Sequence, residues 1–210
     1  MNHNQRIGPG RFFGRALLVF FLCVLIAPLL HPSPGEASFF DNDRHFLTIR
    51  ALGDAKCAPP ADKAIAAFFR EKNPKLSREN AKKYAQIVLQ AAREFGVDPF
   101  LLAGIIVKES TVRANAQNRG CYGLMQIKWS VHQKSIPKAF PAIRSVEDLK
   151  KPENNIRVGA YMLANFIRRH KGRVDPSLDS YKGTTSSKYK STLLKYYHRM
   201  ISLYNREKSS

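Results

Sequence analysis

Apolar residues recur at three- and four-residue steps through most of the chain. Ala81, Tyr84, Ala85, Val88, Leu89 and Ala92 follow this spacing and predict an amphipathic helix of about five turns. Ser77 is placed to cap its start and Gly96 to stop it. Asp98-Pro99 opens the next helix, as a capping residue followed by proline at the first helical position. The run Phe100 to Val107 is apolar nearly all round, so this helix is expected to be buried on every side. Upstream, Asp62 to Lys72 has helical spacing with Ile65, Phe68 and Phe69 on one side, and Asn73-Pro74 ends it.

Downstream, Trp129, His132, Ile136, Phe140 and Ile143 punctuate a lysine- and proline-rich stretch. It predicts one or two short helices and loops lining a groove. Val158, Gly159, Tyr161, Met162, Leu163, Phe166 and Ile167 predict another buried helix. Glycine inside a helix weakens it by about 1 kcal/mol relative to alanine, so Gly159 points to close helix packing. A final helix is expected over Tyr189 to Tyr204, with Leu193, Leu194, Tyr197, Met200 and Ile201 as its apolar stripe. No alternating pattern of any length marks a strand, and the fold is read as all-α.

The first residues follow a different grammar. Arg6, Arg11 and Arg15 precede a 15-residue apolar run, Ala16 to Leu30, interrupted by Pro28. Pro32, Pro34 and Gly35 then break structure, and Gly35-Glu36-Ala37 places small residues before Ser38. The run is short for a spanning helix, which needs about 20 residues. Residues 1–37 therefore read as a signal peptide, with an uncleaved N-terminal membrane anchor as the alternative. Cys23 lacks the preceding small residues of a lipidation site.

Charge adds a further constraint. The 210-residue chain carries 35 basic and 16 acidic residues, a net charge of +19. Removing Arg6, Arg11, Arg15 and Glu36 with residues 1–37 leaves 32 basic and 15 acidic residues, or +17. The charge thus belongs to the remaining domain and implies an anionic partner or neighbourhood. Nucleic acid is the competing partner for so basic a chain. The export signal and the lack of a nucleic-acid motif argue against it. Hydrophobic content of 44% suffices for a core and excludes a disordered chain. Beyond the signal, Cys57 and Cys121 remain: an exported pair of thiols is a disulfide candidate, and two unrelated buried thiols are the alternative. His45, His132, His170 and His198 show no ligand spacing, so neither a metal nor a cofactor is expected.

Candidate chemistry gathers at the end of the Asp98 helix, in Lys108-Glu109-Ser110. A carboxyl at the end of a buried helix is costly to ionise, and its raised pKa suits a general acid. The alternative is a helix-terminal carboxylate in water. A turn-rich segment leads to Gly120-Cys121-Tyr122-Gly123-Leu124-Met125-Gln126-Ile127. Its glycines allow a tight backbone that brings the Gln126 amide toward the working site of Glu109.

Glu109-Ser110 followed by Gly123-Leu124-Met125-Gln126 resembles the lytic transglycosylases (SLT domains) of the goose-type lysozyme-like superfamily. The resemblance runs from about Ser77 to about Tyr204. It includes an acidic-leucine, proline, asparagine-isoleucine, glycine, tyrosine pattern over Asp148 to Tyr161, and it includes Tyr181 and Tyr189. Leu178-Asp179-Ser180-Tyr181-Lys182-Gly183 departs from it by lacking an asparagine after the tyrosine. The resemblance implies an all-α, lysozyme-like (goose-type/SLT) helical domain with a substrate cleft. It divides the chain into the signal or anchor (1–37), an N-terminal extension with one helix (38–75), the lytic transglycosylase domain (76–205) and a polar tail (206–210).

The same resemblance implies an exported enzyme, in the periplasm or cell envelope, acting on peptidoglycan glycan strands. Glu109 would be catalytic. Ser110 would hydrogen-bond near its carboxylate, Met125 and Gln126 would contact the glycan, and Tyr181 would lie close to Glu109 and the acetamido group, helping to place both. Cleavage of the MurNAc-β-1,4-GlcNAc bond would leave 1,6-anhydroMurNAc ends. A water-using muramidase and a non-catalytic peptidoglycan-binding protein on the same scaffold remain the alternatives. Envelope or secretion-apparatus proteins are further candidate partners. Nucleic acid is not, and a membrane would be met only through an uncleaved N-terminal segment.

Overall fold

The computed structural model describes residues 39–43 and 60–209, all within the unit formed by residues 37–210. The signal or anchor segment and Cys57 lie outside the described residues. Helix α1 spans Ala61–Lys72, α2 Arg78–Phe95 and α3 Pro99–Ser110. Strands β1 (Gln117–Asn118), β2 (Cys121–Tyr122) and β3 (Ile127–Lys128) form an antiparallel sheet in that order. Short helices α4 (Trp129–His132), α5 (Ile136–Ala139) and α6 (Val146–Lys150) follow. The longer α7 (Pro152–Arg169), α8 (Val174–Lys182) and α9 (Ser187–Lys208) close the domain.

The caps sit where the side chains require them. Ser77 Oγ accepts from the Asn80 N–H at 3.1 Å, and Gly96 ends α2 in the left-handed region at φ 65°. Asp98 Oδ1 accepts from the N–H groups of Phe100 (2.8 Å) and Leu101 (3.0 Å). Its Oδ2 receives the Tyr197 hydroxyl at 3.1 Å. Each such cap is worth about 1 kcal/mol, and this one also ties α3 to α9.

Every residue of α3 from Pro99 to Val107 is buried. The helix packs against α1, α2 and α9, which explains why its sequence has no polar face. The chain upstream is drawn onto the same core. Phe40 is fully buried and meets the Tyr197 ring edge-on at 6.1 Å. The Asp175 carboxylate accepts from the N–H groups of Phe39 (2.7 Å) and Phe40 (3.2 Å). In return Asp41 accepts from those of Val174 (2.7 Å) and Asp175 (3.2 Å). Helix α8 has no capping side chain of its own, so an aspartate from far upstream takes that place.

Four features depart from the sequence reading. A three-stranded sheet is present, but two residues per strand are too few to leave an alternating pattern. Beyond the two short helices that fall in the Trp129–Ile143 stretch, as expected there, a third, Val146–Lys150, precedes the long helix that follows. Val174–Lys182 is helical, ending at Gly183 in the left-handed region (φ 81°). Helix α9 runs through Lys208, so most of the expected polar tail is its last turn. Among the described residues no helix is long and apolar enough to cross a membrane.

Two glycines inside helices have different surroundings. A Cβ on Gly159 would collide with Met125 Sδ; the close packing expected there is made by a turn and not by another helix. A Cβ on Gly104 would meet Leu193 Cδ2 at 3.6 Å, an ordinary contact. Alanine is the better helix former at both positions, yet the two substitutions have opposite expected signs. Gly104→Ala stabilises by about 0.5–1 kcal/mol, whereas Gly159→Ala destabilises by about 1–3 kcal/mol through overpacking. Urea unfolding midpoints of the two variants against the parent check this.

Candidate active site

Helix α3 delivers Glu109 to the floor of a cleft of about 720 Å³, within the usual range for ligand sites. The β-sheet, α4 and the residues around Tyr181 supply its walls. Glu109 is half-buried and is the sole carboxylate among the residues lining the cleft. Tyr189, at the start of α9, donates its hydroxyl to Glu109 Oε1 at 2.6 Å. Burial holds the Glu109 carboxyl above the ordinary carboxylate range. The Tyr189 hydroxyl and the charges of Lys182 and Lys108 oppose this shift, because each favours the ionised form. Burial and the neighbouring Glu109 push the Tyr189 hydroxyl well above its ordinary value. Tyr189 therefore remains a proton-bearing donor. Burial and Glu109 act on Tyr181 in the same direction.

The Gly123–Gln126 turn contributes Met125 and Gln126 to the lining of the same cleft and is fixed by side chains from two helices. Asn155, fully buried on α7, accepts the Met125 N–H at 2.7 Å. Its Nδ2 donates to Tyr122 O and Leu149 O, each at 3.0 Å. Tyr181 donates its hydroxyl to Met125 O at 3.0 Å. Both backbone polar groups of one residue, Met125, are thus held by side chains from remote helices. Gly123 is required here: its φ is +77°, and a Cβ would lie 2.9 Å from Asn155 Oδ1. Gln126 also has a positive φ of 49°, which is uncommon for a non-glycine residue.

Glu109, Met125, Gln126 and Tyr181, all singled out from sequence, line one cleft. Ser110 does not join them. It is buried, and its hydroxyl donates back to Ile106 O at 3.0 Å, as serine in a helix commonly does. The expected bond near the Glu109 carboxylate is therefore absent. Met125 is 1% exposed and packs on Gly159. The Gln126 side chain donates from Nε2 to Gly123 O (2.9 Å) and Ala116 O (3.1 Å), bracing the turn. Cys121 lines the cleft as a half-buried free thiol among the described residues. Its pairing with Cys57 stays an expectation, because Cys57 is not among them.

The sequence reading did not place Tyr189 or Asn155 in the site. Tyr189 had been matched only as a residue opening the last helix. Asn155 had a usable signal, a polar side chain on the otherwise apolar buried face of an amphipathic helix. Such a group needs partners, and it has three.

Comparison with known proteins bears on the same segment. The family described as Transglycosylase SLT domain matches residues 86–200. Two relatives from Klebsiella pneumoniae strains, each named endo-type membrane-bound lytic murein transglycosylase A, are 35% identical over 95 residues. Each match covers 44% of this chain and 47% of the relative, so the chain spans about half the length of these curated relatives.

The raised Glu109 pKa has a consequence for stability. A carboxyl whose folded pKa exceeds its unfolded value stabilises most when both states are protonated, and that contribution is lost as pH rises through the folded pKa. Glu109→Gln keeps an acceptor for Tyr189 and removes the buried charge. The variant is expected to melt above the parent at neutral pH. The difference should vanish below the ordinary carboxylate pKa of 4.5. Melting temperatures across pH 3–8 read this directly.

Proposed function

The chain belongs to the transglycosylase SLT domain family, and from that membership we propose that it cleaves peptidoglycan glycan strands with Glu109 as the single general acid and base. The observation that carries this reading is one raised carboxyl, hydrogen-bonded to Tyr189, with no other carboxylate among the described residues lining the cleft. Glycosidases that use two carboxylates hold them about 5–9.5 Å apart. A cleft with one acid suits a substrate that supplies its own nucleophile.

Protonated Glu109 gives its proton to the oxygen of the MurNAc-β-1,4-GlcNAc bond as the C1–O bond breaks, and the GlcNAc 4-hydroxyl leaves. The acetamido carbonyl of MurNAc stabilises the positive charge at C1. The Glu109 carboxylate then takes the proton of the MurNAc 6-hydroxyl while that oxygen bonds to C1. The product is a 1,6-anhydroMurNAc end, no water is consumed, and Glu109 is again protonated. Burial suits the first step by disfavouring the carboxylate, and the Tyr189 donor suits the second by stabilising it. Tyr181 and Asn155 act as positioning residues, through the turn that carries Met125 and Gln126. Work on the wall requires export, which residues 1–37 would supply as a cleaved signal or a retained anchor. The two Klebsiella relatives, named as membrane-bound, support an envelope setting.

Mass spectrometry of digested sacculi tests the chemistry. Anhydro ends are expected. Reducing ends would identify a muramidase, and an absence of release a binding protein. Glu109→Gln should lower release by about 10²- to 10⁴-fold, the usual share of general acid–base catalysis, while binding to sacculi persists. Release at the parent rate would refute the assignment. Tyr189→Phe removes a bond that favours the Glu109 carboxylate, so the alkaline limb of the pH–rate profile should move to higher pH.

A further inference from the structure

The cleft holds more positive charge than the proposed reaction uses. Lys108, Arg119, Lys128 and Lys182 line it against one carboxylate, Glu109. All four are exposed, and none forms an ion pair among the described residues. Cations elsewhere are differently placed: Arg157 meets Glu94 at 2.6 Å, Lys190 meets Asp179 at 2.9 Å and Arg199 meets Glu71 at 2.8 Å. Lys108 and Lys182 act on the Glu109 carboxyl. Arg119, in the hairpin turn, and Lys128, on β3, have no such partner among the described residues.

Their placement is specific. Asn118 pairs with Cys121, and Cys121 pairs with Lys128. Arg119-Gly120 forms the two-residue turn beyond that row, so Arg119 and Lys128 occupy the same end of the sheet. Arg119 (φ 47°) and Gly120 (φ 77°) both have positive φ, the signature of a turn that favours Asn-Gly. A long cationic side chain stands where the backbone favours a short one. Beside them Val131, 63% exposed, adds an alkyl surface to the cleft lining.

N-acetylated sugar rings are uncharged: they offer these two cations hydrogen-bond acceptors but no opposite charge. The stem peptides attached to MurNAc carry carboxylates and methyl side chains. We propose that the Arg119–Lys128 rim binds stem-peptide carboxylates, so that the cleft selects strands whose peptides bear free carboxylates. This specificity rests on the peptidoglycan reading given above.

The test uses soluble peptide-bearing strands with their amines acetylated, and the same strands with the carboxylates then converted to amides. Binding is measured by fluorescence anisotropy with the Glu109→Gln protein, so that cleavage does not intervene. At low salt the carboxylate strands should bind roughly two- to thirtyfold more tightly, the range for two exposed ion pairs. The gap should close as salt screens it. Adding Arg119→Gln and Lys128→Gln should bring the ratio to near one; both side chains are exposed, and circular dichroism checks that the fold is kept. Equal affinity for the two strands, or an undiminished preference in the triple variant, would overturn the proposal. Failure of the unsubstituted protein to release fragments from sacculi would instead overturn the proposed reaction, and the binding ratio would still decide the specificity.

Discussion

A carboxyl group at the end of an apolar helix sits between two opposing forces. Burial favours its protonated form, whereas a hydroxyl donor at 2.6 Å and two nearby lysines favour its charged form. In this chain burial prevails at Glu109 by direction, with the opposing groups close enough to hold the carboxylate once it forms. The conflict is built by the fold. Helix α3 is buried on all sides, so its last turn emerges at the base of a cleft and not into bulk solvent. Tyr189 reaches Glu109 because α9 packs along α3.

The turn that brings Met125 and Gln126 to the cleft obeys a second constraint. Positive-φ residues crowd the Gly123–Gln126 turn and the hairpin before it, a backbone with little intrinsic preference for its shape. Asn155 and Tyr181 hold the N–H and C=O groups of Met125 from two different helices, and Gly159 leaves room for the Met125 side chain. Glu109 and the turn are thus positioned by separate elements of one core. A residue outside the cleft lining, such as Gly159, can therefore matter to its geometry.

Much of this was legible in the sequence because the signals were local and repeated. Apolar spacing and caps placed α2 and α3 almost to the residue, since Ser77, Gly96 and Asp98 satisfy helix ends by short-range hydrogen bonds. The Glu109 and Gly123–Gln126 motifs placed two walls of one cleft. What stayed hidden depends on tertiary partners. The sheet is too short to show a period, and α8 takes its N-terminal cap from Asp41, more than 130 residues upstream. Ser110 was read as a partner of Glu109, but the backbone carbonyl one turn back is nearer. Tyr189 could be matched as a tyrosine but not aimed, because only the packing of α9 on α3 determines what its hydroxyl meets.

The account depends most on the protonation of a single side chain. A ¹³C-detected NMR titration of the Glu109 carboxyl, in protein labelled at glutamate and assigned through Glu109→Gln, measures it without substrate or turnover. The account predicts a midpoint above the ordinary value of 4.5. A midpoint at or below that value would mean that the neighbouring donors outweigh burial, and would contradict the proposal that Glu109 is the general acid.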